Sequence, residues 1–211
     1  MKQPLFVGDP ALIVVDIQRG SALPGAESGI PHMAGALERI ARAERVVAAA
    51  REAMVPVIFL QEVHRRSGVD FGRELDGAED VHCLEDDPAT ELWPTLRPGD
   101  GEHHIVKRRY SGFIGTELEL LLRGLSVSTL VLIGGLTDVC VHYTFADAHQ
   151  RDFYARVVAD CVGGSTTARH LAALDAMEYL QAGACRSTNE IIGAFAALAA
   201  GRAITATGAS L

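Results

Sequence analysis

The chain has 211 residues, 48% hydrophobic and 22% charged, and its 19 basic and 27 acidic residues leave a net charge of −8 with the histidines neutral. That balance repels phosphate backbones and anionic membrane faces over most of the surface, so nucleic acid and lipid are not expected partners. Four cysteines, at 83, 140, 161 and 185, form no CxxC pair and are too few for a disulfide scaffold, which points to a reducing cytoplasm.

The N-terminal run MKQPLFVGDPALIVVDIQ carries one lysine and a short apolar segment with no small-residue cleavage signature, so a soluble, unprocessed chain is expected. Apolar runs of strand length then alternate with stretches of helical spacing. This predicts an α/β architecture of three layers, α-β-α, around a six-stranded, mainly parallel, Rossmann-like sheet. Ala11–Ile17, rich in β-branched residues, predicts a first strand buried on both faces. After a Gly/Ser/Pro loop from Gly20 to Pro31, Met33, Leu37, Ile40, Val47 and Met54 share one helical stripe, which Pro56 ends. Val57–Gln61 reads as the second strand and runs into Glu62 and His64. Residues 65–100 dissolve into Gly, Asp, Glu and Pro; so long a connection is expected to hold short helical turns and to cover a site. His104–Lys107 is the third strand, and Thr116 is placed as the N-cap of a helix ending at Arg123. Val127–Ile133 is the most hydrophobic strand, turned by Gly134 and Gly135 into a helix beginning near Thr137. Arg156–Ala159 makes a fifth strand, Leu171, Leu174, Met177 and Leu180 mark the next helix, and Ala184–Arg186 precedes a last helix from Asn189 to about Ala199. No repeat or linker divides residues 1–211, so one domain is expected, with Gly201–Leu211 loosely held or used in assembly.

In open α/β sheets ligands bind beyond the carboxyl ends of the strands, near the point where strand order reverses. The strands here close on Asp16, on Glu62 and His64, on Lys107, and on Gly134, Gly135, Thr137, Asp138 and Cys140. The start of a helix places the Cys140 thiol at the positive end of the dipole, and a nearby ammonium would favour thiolate further. Asp16 is positioned to take the thiol proton and return it to a leaving amine. Lys107 would hold thiolate and carboxylate together, and backbone N–H groups at the glycine turn would receive an oxyanion. Singly, each residue has a plainer role: a buried cysteine as a small hydrophobe, Asp16 as a turn cap, Lys107 as a surface lysine. Their joint arrival at one rim favours catalysis. Cys140 and His142, two apart on a helix, point to different faces and make a poor dyad. DIQRGSALPG after the first strand lacks GxGxxG, against a dinucleotide-binding dehydrogenase, and Gln18 stands where a phosphoaspartyl hydrolase needs a second acid. A non-catalytic interaction module on the same fold is the remaining alternative.

The blocks ALIVVDIQ, IVKRRYSGFIGTELELLLR and LVLIGGLTDVCVHYTFADAHQRDF, in that order, resemble the isochorismatase-like cysteine hydrolases. That family includes nicotinamidases, N-carbamoylsarcosine amidases, biuret hydrolases and ureidoacrylate amidohydrolases, and the likeness covers about Leu12 to Phe195. It implies a catalytic triad of Asp16, Lys107 and Cys140 with an acyl-enzyme on Cys140. It also implies a cis peptide at Gly135–Leu136 that aims the N–H groups of Leu136 and Cys140 at the oxyanion. Isochorismatases proper lack the cysteine, so the implied reaction is hydrolysis of a small amide or ureide, by a cytoplasmic homodimer or homotetramer. Nicotinamidases bind a divalent metal at places that here hold Glu62, His64, Asp70 and His82. Because Glu62 and Asp70 replace an aspartate and a histidine, Glu62 is expected to order the site through hydrogen bonds and no cofactor is expected; the alternative is a metal-assisted, nicotinamidase-type amidase with zinc, manganese or iron on Glu62, His64 and His82. The pocket walls are expected from Ile17, Gln18, Leu23, Glu62, His64, Tyr110, Phe113, Leu136, Thr137 and Tyr143.

Overall fold

The valine- and isoleucine-rich run near the N-terminus forms β1 (Asp9–Val15), and its residues from Ala11 onward are essentially inaccessible to solvent. In this computed structural model, residues 4–23 and 25–208 are described. The other strands are β2 (Val57–Glu62), β3 (His103–Lys107), β4 (Val127–Gly135), β5 (Tyr154–Gly163) and β6 (Cys185–Arg186). They pair in the order β3-β2-β1-β4-β5-β6, every pair parallel.

Alternate residues of β1 feed two cores. Ala11, Ile13 and Val15 join the cluster that includes Leu118 and Leu122 of α3 (Leu118–Gly124), Phe145 and Ala148 of α4 (His142–Gln150), and Met177 of α5 (Thr167–Leu180). Leu12 and Val14 join the cluster of Ile40, Val46 and Val47 from α2 (Ala36–Glu52) and Phe195 from α6 (Thr188–Gly208). One further short helix, α1 (Gly25–Ser28), lies in the loop after β1. The layering follows from parallel strands needing helices over both faces. Among the described residues no helix is long and apolar enough to cross a membrane.

Several local expectations shift. β1 closes at Val15, not Ile17, which leaves Asp16 just beyond the strand at a φ of 48°. Thr116 is not the N-cap of α3; Glu117 is, although the Thr116 hydroxyl still accepts from the Leu118 N–H at 3.2 Å. β5 is longer than expected because its second half carries on past a register shift in the β4–β5 pairing to bring Gly163 beside Gly135. α6 continues to Gly208, beyond the predicted end, and Arg202 ties it to the Ala53 and Met54 carbonyls at 2.7 and 3.0 Å. That stretch of the predicted loose tail is therefore helical; residues 209–211 lie outside those described. The connection over residues 65–100 holds two 3-10 turns, Glu74–Asp76 and Pro88–Thr90, and isolated bridges Gln18↔Leu92 and His64↔Leu84 pin it to the strand ends.

Candidate active site

β1 and β4 are neighbours, and the chain leaves them toward opposite faces of the sheet, which opens a crevice at their carboxyl ends. Gly134 sits at a φ of 113°, and a Cβ there would lie 1.9 Å from the Val15 carbonyl oxygen, so only glycine lets β4 end this close to β1. Beyond it the Gly135–Leu136 peptide is cis. The chain then makes a π turn, Thr137–Val141, before α4. The Leu136 carbonyl accepts from both the Val139 and Val141 N–H groups, at 3.1 Å each, and this register carries Cys140 to the crevice.

Glu62 and Lys107 are register partners in the β2–β3 ladder, so they leave the same face side by side. Asp16 is turned toward them: its Oδ1 accepts from the Glu62 N–H at 2.8 Å. The wholly buried Lys107 ammonium then meets three groups. It lies 2.9 Å from Asp16 Oδ2, donates to Glu62 Oε2, and donates to Cys140 Sγ at 3.4 Å. Oxygens of Asp16 and Glu62 and the Cys140 sulfur all lie within 4.8 Å of one another.

Charge follows from this crowding. Burial opposes the Lys107 ammonium, but Asp16, Cys140 and Glu62 together carry its pKa well above the usual lysine value. Burial pushes the Asp16 carboxyl up to about 6, against the pull of Lys107. Burial also opposes the Glu62 carboxylate, yet Lys107 and the hydrogen bonds from His64, His82 and Lys107 hold it well below the usual range. At Cys140 the surroundings run against the thiolate that a helix start was expected to favour. Burial raises the thiol well above its ordinary value, and the Glu62 and Asp16 charges add to this, outweighing Lys107. The predicted helix start is a π turn, and the acidic neighbours that reverse the balance come from distant strands.

A cavity of about 120 Å³ opens over these groups. Of the predicted walls, Ile17, Gln18, Glu62, Tyr110 and Leu136 line it, together with the Cys140 nucleophile. Gln18 is fixed by its carboxamide, which donates to the Glu62 and Thr90 carbonyls at 3.0 and 2.7 Å. Tyr110 donates to Glu79 at 3.1 Å. Phe113 is instead a core residue, packed near Phe153 with the Arg151 guanidinium 4.9 Å from its ring centre. Tyr143 stacks behind Tyr110 and is 55% exposed. Thr137 is buried and shares a 2.9 Å hydrogen bond with His170. Leu23 offers its carbonyl to His32 and does not reach the cavity, and His64 is wholly buried beneath Glu62. Arg39, Glu79 and Cys161 line the cavity without having been anticipated.

Behind Glu62 lies a second cluster. Glu62 Oε1 accepts from His64 Nε2 at 3.3 Å and from His82 Nε2 at 3.1 Å, consistent with the ordering role expected of it. Glu74, absent from the sequence expectation, lies 3.1 Å from His64 Nε2, and its Oε1 is buried with no hydrogen-bond partner among the described residues. Burial opposes the His64 imidazolium, but Glu62 and Glu74 raise its pKa to about 9. Asp70 does not join the donors: its carboxylate accepts from the Arg65 N–H at 3.0 Å, pairs with Arg108, and stands 3.6 Å from His64 Nδ1. One donor atom each from Glu62, His64, Glu74 and His82 fall within 4.8 Å of one another. The His82 Nδ1 side faces the Asp80 carbonyl at 2.6 Å, an outer partner of the kind that orients a metal-binding imidazole. With an orphaned carboxylate oxygen among them, these four residues fit a divalent cation.

Residues 10–190 match the isochorismatase domain family. The chain is 34% identical over 174 residues to ureidoacrylate amidohydrolase RutB of Methylobacterium radiotolerans, covering 72% of this chain and 67% of that protein. It is 31% identical over 173 residues to maleamate amidohydrolase of Pseudomonas putida, covering 80% and 79%. An isochorismatase family protein from Desulfovibrio vulgaris subsp. vulgaris str. Hildenborough has the same fold, with a TM-score of 0.78 at 27% identity, covering 90% of this chain and 100% of that one. Sheet, crevice and relatives define the class, a hydrolase of carbon–nitrogen bonds other than peptide bonds. Within that class the chain belongs to the isochorismatase family.

Proposed function

We propose that the protein hydrolyses the C–N bond of a small amide or ureide through an acyl-enzyme on Cys140. The observation that carries this reading is the meeting of Asp16, Lys107 and Cys140, with distances of 2.9 and 3.4 Å from one ammonium, at the floor of a small cavity. The relatives' names, ureidoacrylate and maleamate amidohydrolase, support an amide or ureide.

The resting thiol gives up its proton to Asp16, whose pKa of about 6 suits a base near neutral pH. As Sγ bonds to the substrate carbonyl carbon, Lys107 stabilises the sulfur's negative charge, and the N–H groups of Leu136 and Cys140 receive the oxyanion. Collapse of the tetrahedral adduct breaks the C–N bond, and Asp16 returns the proton to the departing ammonia or amine. Water, deprotonated by Asp16, then attacks the thioester, freeing the acid and restoring the thiol. Glu62 Oε2 also accepts from the Cys140 thiol at 3.5 Å, but Lys107, His64 and His82 hold the Glu62 carboxylate well below the usual range, which makes it a poorer proton acceptor than Asp16. Glu62, His64, Glu74 and His82 would hold a divalent ion, which when bound supplies Lewis-acid polarisation beside the cavity.

The test is ammonia release from a panel of small amides and ureides, followed by mass spectrometry of quenched protein. The expected result is a transient adduct on the peptide that contains Cys140. Turnover that survives Cys140→Ala would overturn the proposal.

A further inference from the structure

We propose that Arg39 determines specificity in this pocket by binding a carboxylate carried by the substrate beyond the scissile bond; this rests on the hydrolase reading above. Arg39 lies early in α2, yet its guanidinium lines the same cavity as Cys140. Two donations anchor it, to the Ala34 carbonyl at 2.6 Å and the Met33 carbonyl at 3.0 Å. A guanidinium has five N–H donors, so others remain for a ligand. Among the described residues no carboxylate lies within ion-pair distance of it, whereas Arg19, Arg51, Arg97, Arg108 and Arg151 each have one.

A second observation shows that the site is built for this side chain. A Cβ on Gly163 would meet Arg39 Nε at 2.4 Å, Cζ at 2.6 Å and Nη2 at 2.8 Å. Gly163 therefore leaves the space the guanidinium occupies. Gly163 is also the register partner of Gly135, whose peptide bond leads into the Leu136 turn before Cys140. Arg39 thus lies over the strand next to the chain segment that delivers the nucleophile.

The acids in the rest of the lining favour such a cation for an acidic substrate. Asp16, Glu62 and Glu79 all face it, and they repel a free carboxylate. A partly desolvated guanidinium whose neighbouring acid, Glu38, makes no ion pair with it gains most from a planar anion it can grip through two parallel hydrogen bonds. A short acid whose amide or ureide lies a few atoms from its carboxylate matches both ends: the carbonyl at Cys140 and the carboxylate at Arg39.

The experiment compares short ω-amide and ω-ureide acids with their methyl esters, using wild type, Arg39→Gln, Arg39→Lys and Gly163→Ala. Wild type is expected to favour the acids in kcat/KM by about 10–100-fold, the range of a charged hydrogen-bonded contact. Arg39→Gln should abolish the preference by raising KM on the acids far more than on the esters, and Arg39→Lys should retain part of it. Gly163→Ala should reproduce the loss in wild type and add nothing to Arg39→Gln, because it acts by displacing the guanidinium. Equal use of acids and esters by wild type, or equal losses on both in Arg39→Gln, would overturn the assignment. If no compound releases ammonia, the hydrolase reading falls, and thermal stabilisation by succinate decides Arg39 alone. A shift seen in wild type and absent in Arg39→Gln supports it, and any other pattern rejects it.

Discussion

The strand ends and the long connection over residues 65–100 supply the same cavity by different means. Asp16, Glu62 and Lys107 are set by neighbouring parallel strands, with Glu62 and Lys107 paired in register. Glu79 and His82 reach the cavity, and Glu74 the cluster behind Glu62, on a segment with only two 3-10 turns, fastened by two isolated bridges. Ladder hydrogen bonds fix the reacting groups, while the connection adjusts the charge around them and can vary without moving the ladder.

Four predictions probe that division, in order of effect. Cys140→Ala should reduce turnover by about 10⁴-fold or more while circular dichroism and the melting temperature stay near wild type. Asp16→Asn should lower kcat by about 10²–10⁴-fold with little change in KM, as expected for a lost proton acceptor. In wild type, kcat/KM should rise with pH through a midpoint near 6 as Asp16 ionises, and the rise should be missing from Asp16→Asn; a flat wild-type profile would remove Asp16 as the base. Glu74→Gln, on the connection, should cost turnover less than about tenfold. Its clearer signature is in stability. A protonated His64 stabilises the fold fully below its ordinary value of 6.5, and this contribution is lost as pH rises through about 9. The melting temperature of chelator-treated protein should therefore fall across that window, and Glu74→Gln should flatten the fall. Elemental analysis of wild type and Glu74→Gln, purified without added metal, tests whether the same four residues hold an ion; the variant should retain less.

The strand ends were legible because each closes a β-branched run, and a parallel sheet carries all such ends to one rim. Asp16, Lys107 and Cys140 come together for that reason. What escaped was direction and non-local charge. Phe113 and Tyr143 stand close in sequence to the cavity's residues, yet their side chains turn into the core and the surface. The π turn has no compositional mark, so Cys140 was placed at a helix start whose dipole would have lowered its pKa. Burial first, and then the Glu62 charge brought to it by the sheet, raises it. Glu74 is one acid among many in a stretch without periodicity, and Arg39 reads as part of the polar face of an amphipathic helix until Gly163 shows where its guanidinium lies.

The single ammonium shared among Asp16, Glu62 and Cys140 has a consequence for the enzyme at rest. Peroxides and alkylating agents attack thiolates far faster than thiols, and burial both holds this thiol's pKa well above its ordinary value and leaves it only 7% exposed. The nucleophile is thus kept inert between turnovers and becomes reactive only as an electrophilic carbonyl arrives to accept its electrons. Idle enzyme should lose activity slowly in dilute hydrogen peroxide, and the rate should increase when Glu62→Gln removes one of the charges that keep the proton on sulfur.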